Sequence, residues 1–141
     1  MFTIMLSPFV ILQFPLGEIS DKYLGEKEIL TAGFLITGLS TILLAFIDKP
    51  DFITWTAVLF TTRIGACAIE VMNETYFFKK ISAKDSDIMG FFRNANPIAY
   101  MIAPISASTI LYFVGFNYLF LILGIIMLSG IYFSLSIKDT L

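Results

Sequence analysis

Charged side chains interrupt the third of several apolar segments in this chain. If that segment is a helix across a bilayer, Arg63 lies about 16 Å deep, near the middle of a core of about 30 Å. Glu70 and Glu74 fall within about 20° of Arg63 on the helical wheel, so the three form one stripe. Charges at this depth are costly and usually face a bundle interior or a water-filled cavity. The stripe is either a solute path, with Glu70 or Glu74 exchanging protons, or a structural ion-pair stripe between helices.

The fourth apolar segment carries a second polar group close to its start. Arg93 lies about 7 Å from the beginning of the predicted helix, at a depth that matches Glu70 and Glu74 on the preceding antiparallel helix. Because buried charges rarely persist unpaired, we expect Arg93 to form an ion pair with one of these glutamates. Asn94 and Asn96 add hydrogen-bonding groups at the same level.

Proline and alanine residues give the fourth segment further features of its own. Pro97 and Pro104 each remove a backbone donor and are expected to bend the helix, as in interrupted transporter helices. A small residue every fourth position predicts close approach of another helix, although such stripes also occur in ordinary packing. This stripe consists of Ala95, Ala99, Ala103 and Ala107.

The composition indicates an integral membrane protein. The 141 residues are 57% hydrophobic and only 14% charged, where a soluble domain would carry about 25%. The net charge of −2 and the lack of a basic stripe argue against a nucleic-acid partner. Histidine is absent and Cys67 is the single cysteine, so no common metal-site or general-base motif is present. We expect no metal, no cofactor and no enzymatic activity.

Five apolar segments predict an all-α fold, because lipid requires a backbone that satisfies its own hydrogen bonds. The predicted transmembrane helices span about residues 2–16, 29–47, 52–78, 88–113 and 116–135. They form a single partial transmembrane domain over 1–141. The first segment is short for a span, so its start is expected to be missing.

The lysines predict the orientation of these helices. Six of the seven lysines fall in loops or tails on one side, and only Lys49 lies on the other. The positive-inside rule then places the amino terminus outside and the carboxyl terminus in the cytoplasm of a cell-membrane protein.

Residues 17–27 form a charged, glycine-bracketed turn between the first two segments. Five of them have the spacing G-x-x-x-D-[RK]-x-x-G-[RK]-[RK], with Glu26 as a departure from it. This pattern resembles the cytoplasmic signature loop of the major facilitator superfamily of secondary transporters. The matching residues are Gly17, Asp21, Lys22, Gly25 and Lys27.

The resemblance implies a gating role for this loop. In the family, such an aspartate latches the cytoplasmic helix ends in one conformation and releases them in another. Asp21 takes that role here, with Lys22 and Lys27 as its cationic partners and Gly25 as the turn. The alternative is a solvated turn whose charges only hold the topology.

The resemblance also implies a position within a larger transporter. An external start followed by the signature loop and four more helices fits helices eight to twelve, and fits helices two to six less well. The carboxyl-terminal half is preferred because Glu26 stands where the first-half signature usually has a basic residue. The missing half, or a partner subunit, is then an expected partner, together with the lipid bilayer and a small-molecule solute.

Two functions follow from different classes of protein. The first is a fragment or half of a secondary active transporter that moves a small solute by alternating access. The second is a non-transporting integral membrane subunit that packs against partner helices. An intramembrane enzyme is disfavoured, since the sequence has neither a Gly-x-Gly-Asp element nor paired midplane aspartates.

Overall fold

The computed structural model describes residues 7, 11–12, 14–18, 25–47, 51–81 and 86–137. Residues 7, 11–12 and 14–18 are helical, and four complete helices follow. The described residues contain no strand, and the prediction of an all-α membrane protein is confirmed. The complete helices are α1 (Glu26–Ala45), α2 (Phe52–Lys80), α3 (Ser86–Phe113) and α4 (Phe116–Ser136).

Charged residues at the helix ends extend two of these helices beyond the predicted apolar segments. Helix α1 begins at Glu26, after an extended Gly25, and places Glu26 and Glu28 in its first turn. Helix α2 continues to Lys80, with Lys79 and Lys80 in its last turn. Acidic residues at an amino end and basic residues at a carboxyl end both stabilise the helix dipole, so these turns are favourable although they are not apolar.

The carboxylate of Asp51 caps the amino end of α2. Its Oδ2 accepts hydrogen bonds from the Thr54 hydroxyl at 2.8 Å and from the Thr54 amide at 3.4 Å. This satisfies one of the backbone donors that an α-helix leaves free in its first turn. Asp51 therefore fixes the start of α2.

Helix α1 lies at the centre of the bundle. It packs along α2 on one side and along α4 on the other, whereas α3 touches α4 only lightly. The buried core lies mainly between α1 and α2, and none of the described side chains of α3 is buried. Helices α1, α2 and α4 therefore pack tightly together, and α3 lies largely exposed beside them.

Glycine allows α1 and α2 to approach until their backbones touch. A Cβ added to Gly65 would lie 2.3 Å from the hydroxyl of Thr37 and 2.9 Å from the carbonyl oxygen of Gly33. A Cβ added to Gly33 would in turn lie 3.1 Å from the carbonyl oxygen of Gly65. Small residues at membrane helix interfaces permit this kind of van der Waals packing.

A second glycine pair joins α1 to α4. A Cβ on Gly124 would meet Ile42 at 2.4 Å and the carbonyl oxygen of Gly38 at 3.0 Å. A Cβ on Gly38 would meet Leu128 at 2.6 Å. Helix α1 therefore uses glycine on two different faces, one for each neighbour.

Hydroxyl groups add hydrogen bonds across the same two interfaces. Thr62 on α2 donates to the hydroxyl oxygen of Ser40 on α1 at 2.9 Å. On the other side, the hydroxyl oxygens of Thr31 and the fully buried Ser134 lie 2.8 Å apart. Such bonds help to hold helices together in lipid, where apolar surface alone gives little preference for one partner.

Three of the described helices, α1, α2 and α4, are long and apolar enough to cross a membrane. Helix α3 is long enough at 28 residues but is not among them. Its asparagine, proline and serine residues lower its mean hydropathy. Whether α3 spans the bilayer therefore stays a prediction.

Candidate functional site

The four helices surround a half-enclosed cavity of about 440 Å³. This volume lies within the range of about 300 to 1,000 Å³ that is usual for small-molecule sites. Each helix contributes to its walls. The lining residues are Phe34, Thr37, Ala66, Ile69, Glu70, Asn73, Glu74, Phe92, Ala95, Asn96, Tyr100 and Met127.

Helix α2 supplies the acidic wall of this cavity. Glu70, Asn73 and Glu74 lie three and four residues apart, so they share one face of the helix. Neither Glu70 nor Glu74 forms an ion pair with a basic side chain anywhere in the part of the chain that the structure describes. The two carboxylates therefore line the cavity without a cationic partner among the described residues.

Arg63 shares the helical stripe of the glutamates but does not line the cavity. It is exposed, and it lies two turns from Glu70 along α2. The predicted stripe therefore exists as a face of α2, with its acidic part on the cavity and its basic part outside it.

An aromatic stack joins α3 to α2 at the edge of the cavity. The rings of Phe77 and Phe92 are nearly parallel, with centroids 3.7 Å apart. Asn96 and Tyr100 follow at intervals of four residues and line the cavity from the α3 side. The stack thus helps to position the polar groups of α3 against those of α2.

The predicted ion pair of Arg93 is wrong. Among the described residues Arg93 joins neither Glu70 nor Glu74, and its side chain is exposed. The reason is rotation: one residue beyond Phe92 turns a side chain about 100° around the helix, away from the ring that meets α2. Equal depth on neighbouring helices does not give equal direction.

Of the other predicted residues of α3, Asn96 and Ala95 line the cavity, whereas Asn94, Pro97 and Pro104 lie outside its lining. Asn94, Pro97 and Pro104 are exposed, and the helix continues through both prolines. The predicted alanine stripe is exposed as well, apart from the half-buried Ala107.

The described part of the signature loop meets the carboxyl end of α2. The Lys79 ammonium Nζ lies 2.5 Å from Oε1 of Glu26, and the Glu26 side chain is only 1% exposed. Glu26 is the residue that departs from the signature pattern. Here it forms a cross-helix ion pair directly beside Gly25, the buried turn residue of that pattern.

Other signature residues have different surroundings. Gly17 is helical, and a Cβ added there would meet open space. The carbonyl oxygen of Lys27 accepts hydrogen bonds from Thr31 at 2.7 Å and from Ser134 at 3.3 Å. Asp21 and Lys22 lie outside the described residues.

Comparison with protein families matches the chain to the Major Facilitator Superfamily over residues 1–140. The chain belongs to the major facilitator superfamily. Members of this superfamily are membrane transporters rather than enzymes, so the chain is an integral membrane protein of a transporter family. Comparisons with curated proteins and with solved structures give no match.

Within this facilitator chain, the sequence predicted part of the cavity and missed the rest. Glu70, Glu74 and Asn96 were predicted, whereas Asn73 and Tyr100 were not. A sequence signal for Asn73 did exist, since it lies one helical turn after Glu70 and directly before Glu74. Tyr100 lies four residues after Asn96, but a tyrosine at this spacing does not by itself predict that its side chain lines a cavity.

The cavity can bind a solute by charge, hydrogen bonding and ring contact. Its carboxylates and amides supply polar groups, and Phe34, Phe92 and Tyr100 supply aromatic surface. No group of three or more potential ligands that could hold a metal ion occurs within the described ranges.

Proposed function

We propose that the chain forms part of the carboxyl-terminal half of a secondary active transporter, equivalent to helices eight to twelve. It moves a small solute across the membrane by alternating access. The observation that carries this proposal is the cavity between α1, α2, α3 and α4, whose largely apolar walls carry two carboxylates, in a chain of the major facilitator superfamily. Transporter sites of this kind lie where helices from two halves meet.

The exposure of α3 supports a contribution from a second half. The cavity is only half enclosed, and the side chains that α3 contributes to its lining are mostly exposed. A second helical half placed against α3 would close the cavity and cover the alanine stripe. The missing half, whether a separate polypeptide or a further segment, is therefore the proposed partner.

The signature loop is the proposed gate of the transporter. Asp21 would latch the helix ends with Lys22 and Lys27, on the predicted cytoplasmic side. The Glu26–Lys79 ion pair supports this place for a gate, because it fixes the ends of α1 and α2 directly beside the loop. The amino terminus would then lie outside and the carboxyl terminus inside the cell.

The carboxylates of the cavity are the proposed coupling groups. Glu70 or Glu74 would take up a proton on one side of the membrane and release it on the other. Pro97 and Pro104 would let α3 bend during this change. Arg63 and Arg93 would extend the polar path beyond the cavity lining.

A non-transporting assembly subunit is the second candidate. The observation that favours it is the same exposed α3, whose large apolar side chains would pack equally well against a helix of another protein. The two candidates differ in whether a solute crosses the membrane.

The test is solute uptake into proteoliposomes. The full chain is reconstituted alone and together with the polypeptide encoded immediately upstream, and both samples receive sugars, amino acids, drugs and organic ions. We expect saturable uptake of one solute class only in the combined sample, abolished by Glu70→Gln and retained by Glu28→Gln. Uptake by the chain alone would overturn the half-transporter proposal. No uptake in either sample would favour the assembly subunit.

A further inference from the structure

The chemistry of the cavity walls allows the class of solute to be inferred. The cavity is lined by two carboxylates, and no lysine or arginine is among its lining residues. The remaining polar groups of α2 and α3 in the lining are the neutral amides of Asn73 and Asn96 and the phenol of Tyr100.

The carboxylates have no charge partner in the described part of the chain. No basic side chain among the described residues forms an ion pair with Glu70 or Glu74. The two arginines of the chain, Arg63 and Arg93, both lie outside the lining. Two carboxylates one helical turn apart repel each other. A positive charge placed between them would offset this repulsion.

The aromatic side chains of the cavity suit the same kind of solute. Phe34, Phe92 and Tyr100 come from two different helices and line one space. Aromatic faces attract ammonium groups through their quadrupole, and they also bury the apolar part of an organic molecule. Carboxylates and aromatic rings together are better suited to bind a partly apolar cation than a sugar or an organic anion.

We propose that the cavity binds an organic cation, an amine or quaternary ammonium with an apolar body. Its charge lies at Glu70 and Glu74, and its body lies against Phe34, Phe92 and Tyr100. This inference rests on the proposed transport function, whose site it makes specific. The volume of about 440 Å³ accommodates a molecule of this class.

The test is binding of two ions of equal shape and opposite charge. Radiolabelled tetraphenylphosphonium and tetraphenylborate are measured against the full chain in nanodiscs, with empty nanodiscs subtracted to remove partition into lipid. We expect the phosphonium to bind at least about tenfold more tightly than the borate, because charged partners dominate such a site.

Carboxylate variants locate the binding. The double variant Glu70→Gln, Glu74→Gln is expected to lose about tenfold or more in phosphonium affinity. Glu28→Gln, which removes an exposed carboxylate outside the cavity, is expected to bind as the wild type does. Thermal unfolding of each variant in the same nanodiscs identifies any that fail to fold, and the single variants Glu70→Gln and Glu74→Gln then take the place of the double one.

Each other outcome overturns the inference. Equal binding of both ions, or phosphonium binding unchanged in the carboxylate variants, would show an apolar cavity without charge selection. Failure of this inference is distinct from failure of the transport function. Saturable uptake of a neutral or anionic solute would support the transport function and contradict the cation site. Phosphonium binding without any uptake would support the cation site and contradict the transport function.

Discussion

The ammonium of Lys79 lies 2.5 Å from a carboxylate oxygen of Glu26, and this ion pair joins the end of α2 to the start of α1. The two partners differ in environment. The Glu26 side chain is 1% exposed, whereas that of Lys79 is 33% exposed. The lysine therefore lies at the rim and compensates a charge that lies inside the bundle. Removing it should leave the carboxylate buried with one partner fewer.

Lys79→Met is expected to destabilise the protein by about 1 to 3 kcal/mol. The cost of breaking a buried pair is about 3 to 5 kcal/mol, and the exposure of Lys79 lowers that figure through solvent screening. The matched control is Lys80→Met, which removes the neighbouring exposed lysine above the Tyr76 ring and should leave stability nearly unchanged. Thermal unfolding in detergent measures both. Equal losses in the two variants would contradict a specific role of the Glu26–Lys79 pair.

Gly65→Ala is expected to destabilise the bundle by about 1 to 3 kcal/mol, the usual cost of overpacking a core. The new Cβ would lie 2.9 Å from the Gly33 carbonyl oxygen and from the Thr37 amide nitrogen, both backbone atoms, so α1 and α2 would have to separate. The control is Gly90→Ala on α3, where a Cβ meets nothing within 4 Å. Alanine there should stabilise by up to about 1 kcal/mol. If Gly65→Ala leaves the thermal unfolding temperature unchanged, the two helices are not in backbone contact.

Phe92→Ala is expected to loosen α3 from the bundle. The stacked pair with Phe77 contributes about 0.5 to 1.5 kcal/mol beyond simple burial, and α3 has few other contacts with α2. Hydrogen–deuterium exchange of the first turns of α3 should become faster. Phe91→Ala is the control, because the Phe91 side chain is 79% exposed. If both variants exchange equally fast, the stack does not hold the helix.

The orientation predicted from the lysines can be measured by labelling from each side of the membrane. A membrane-impermeant maleimide applied outside intact cells should label Lys49→Cys and spare Lys22→Cys and Lys80→Cys, since the predicted loops lie on opposite sides. The native Cys67 serves as an internal control, because it is fully buried and should stay unlabelled. Labelling of positions 22 and 49 from the same side would contradict the topology.

The fold was predictable from the sequence because it depends on segment length and hydropathy. The third segment was expected over 52–78 and is observed as Phe52–Lys80, and the fifth over 116–135 and is observed as Phe116–Ser136. The ends were underestimated where they are charged. Hydropathy identifies only the apolar part of a helix. Charged residues at the helix ends, such as Glu26 and Lys79, belong to the helix but not to its apolar part.

The contacts between helices were less predictable. The Gly33–Gly65 and Gly38–Gly124 approaches require knowledge of which helices are neighbours, and the sequence states only their order. The alanine stripe of α3 was the more regular small-residue pattern, yet it is exposed, whereas single glycines make the close contacts. In the same way, Arg93 could be placed at a depth but not at an angle, which is why its predicted partner was wrong.

The central position of α1 has a consequence for how the protein is made. Its two neighbours are α2, which follows it directly, and α4, which the ribosome completes only after the whole of α3. During synthesis the face of α1 that carries Thr31 and Gly38 must therefore wait in the membrane uncovered. Within α1 the hydroxyl of Thr31 already donates to the carbonyl oxygen of Lys27, so this polar group has a partner during that interval, and its contact with Ser134 forms only when α4 arrives.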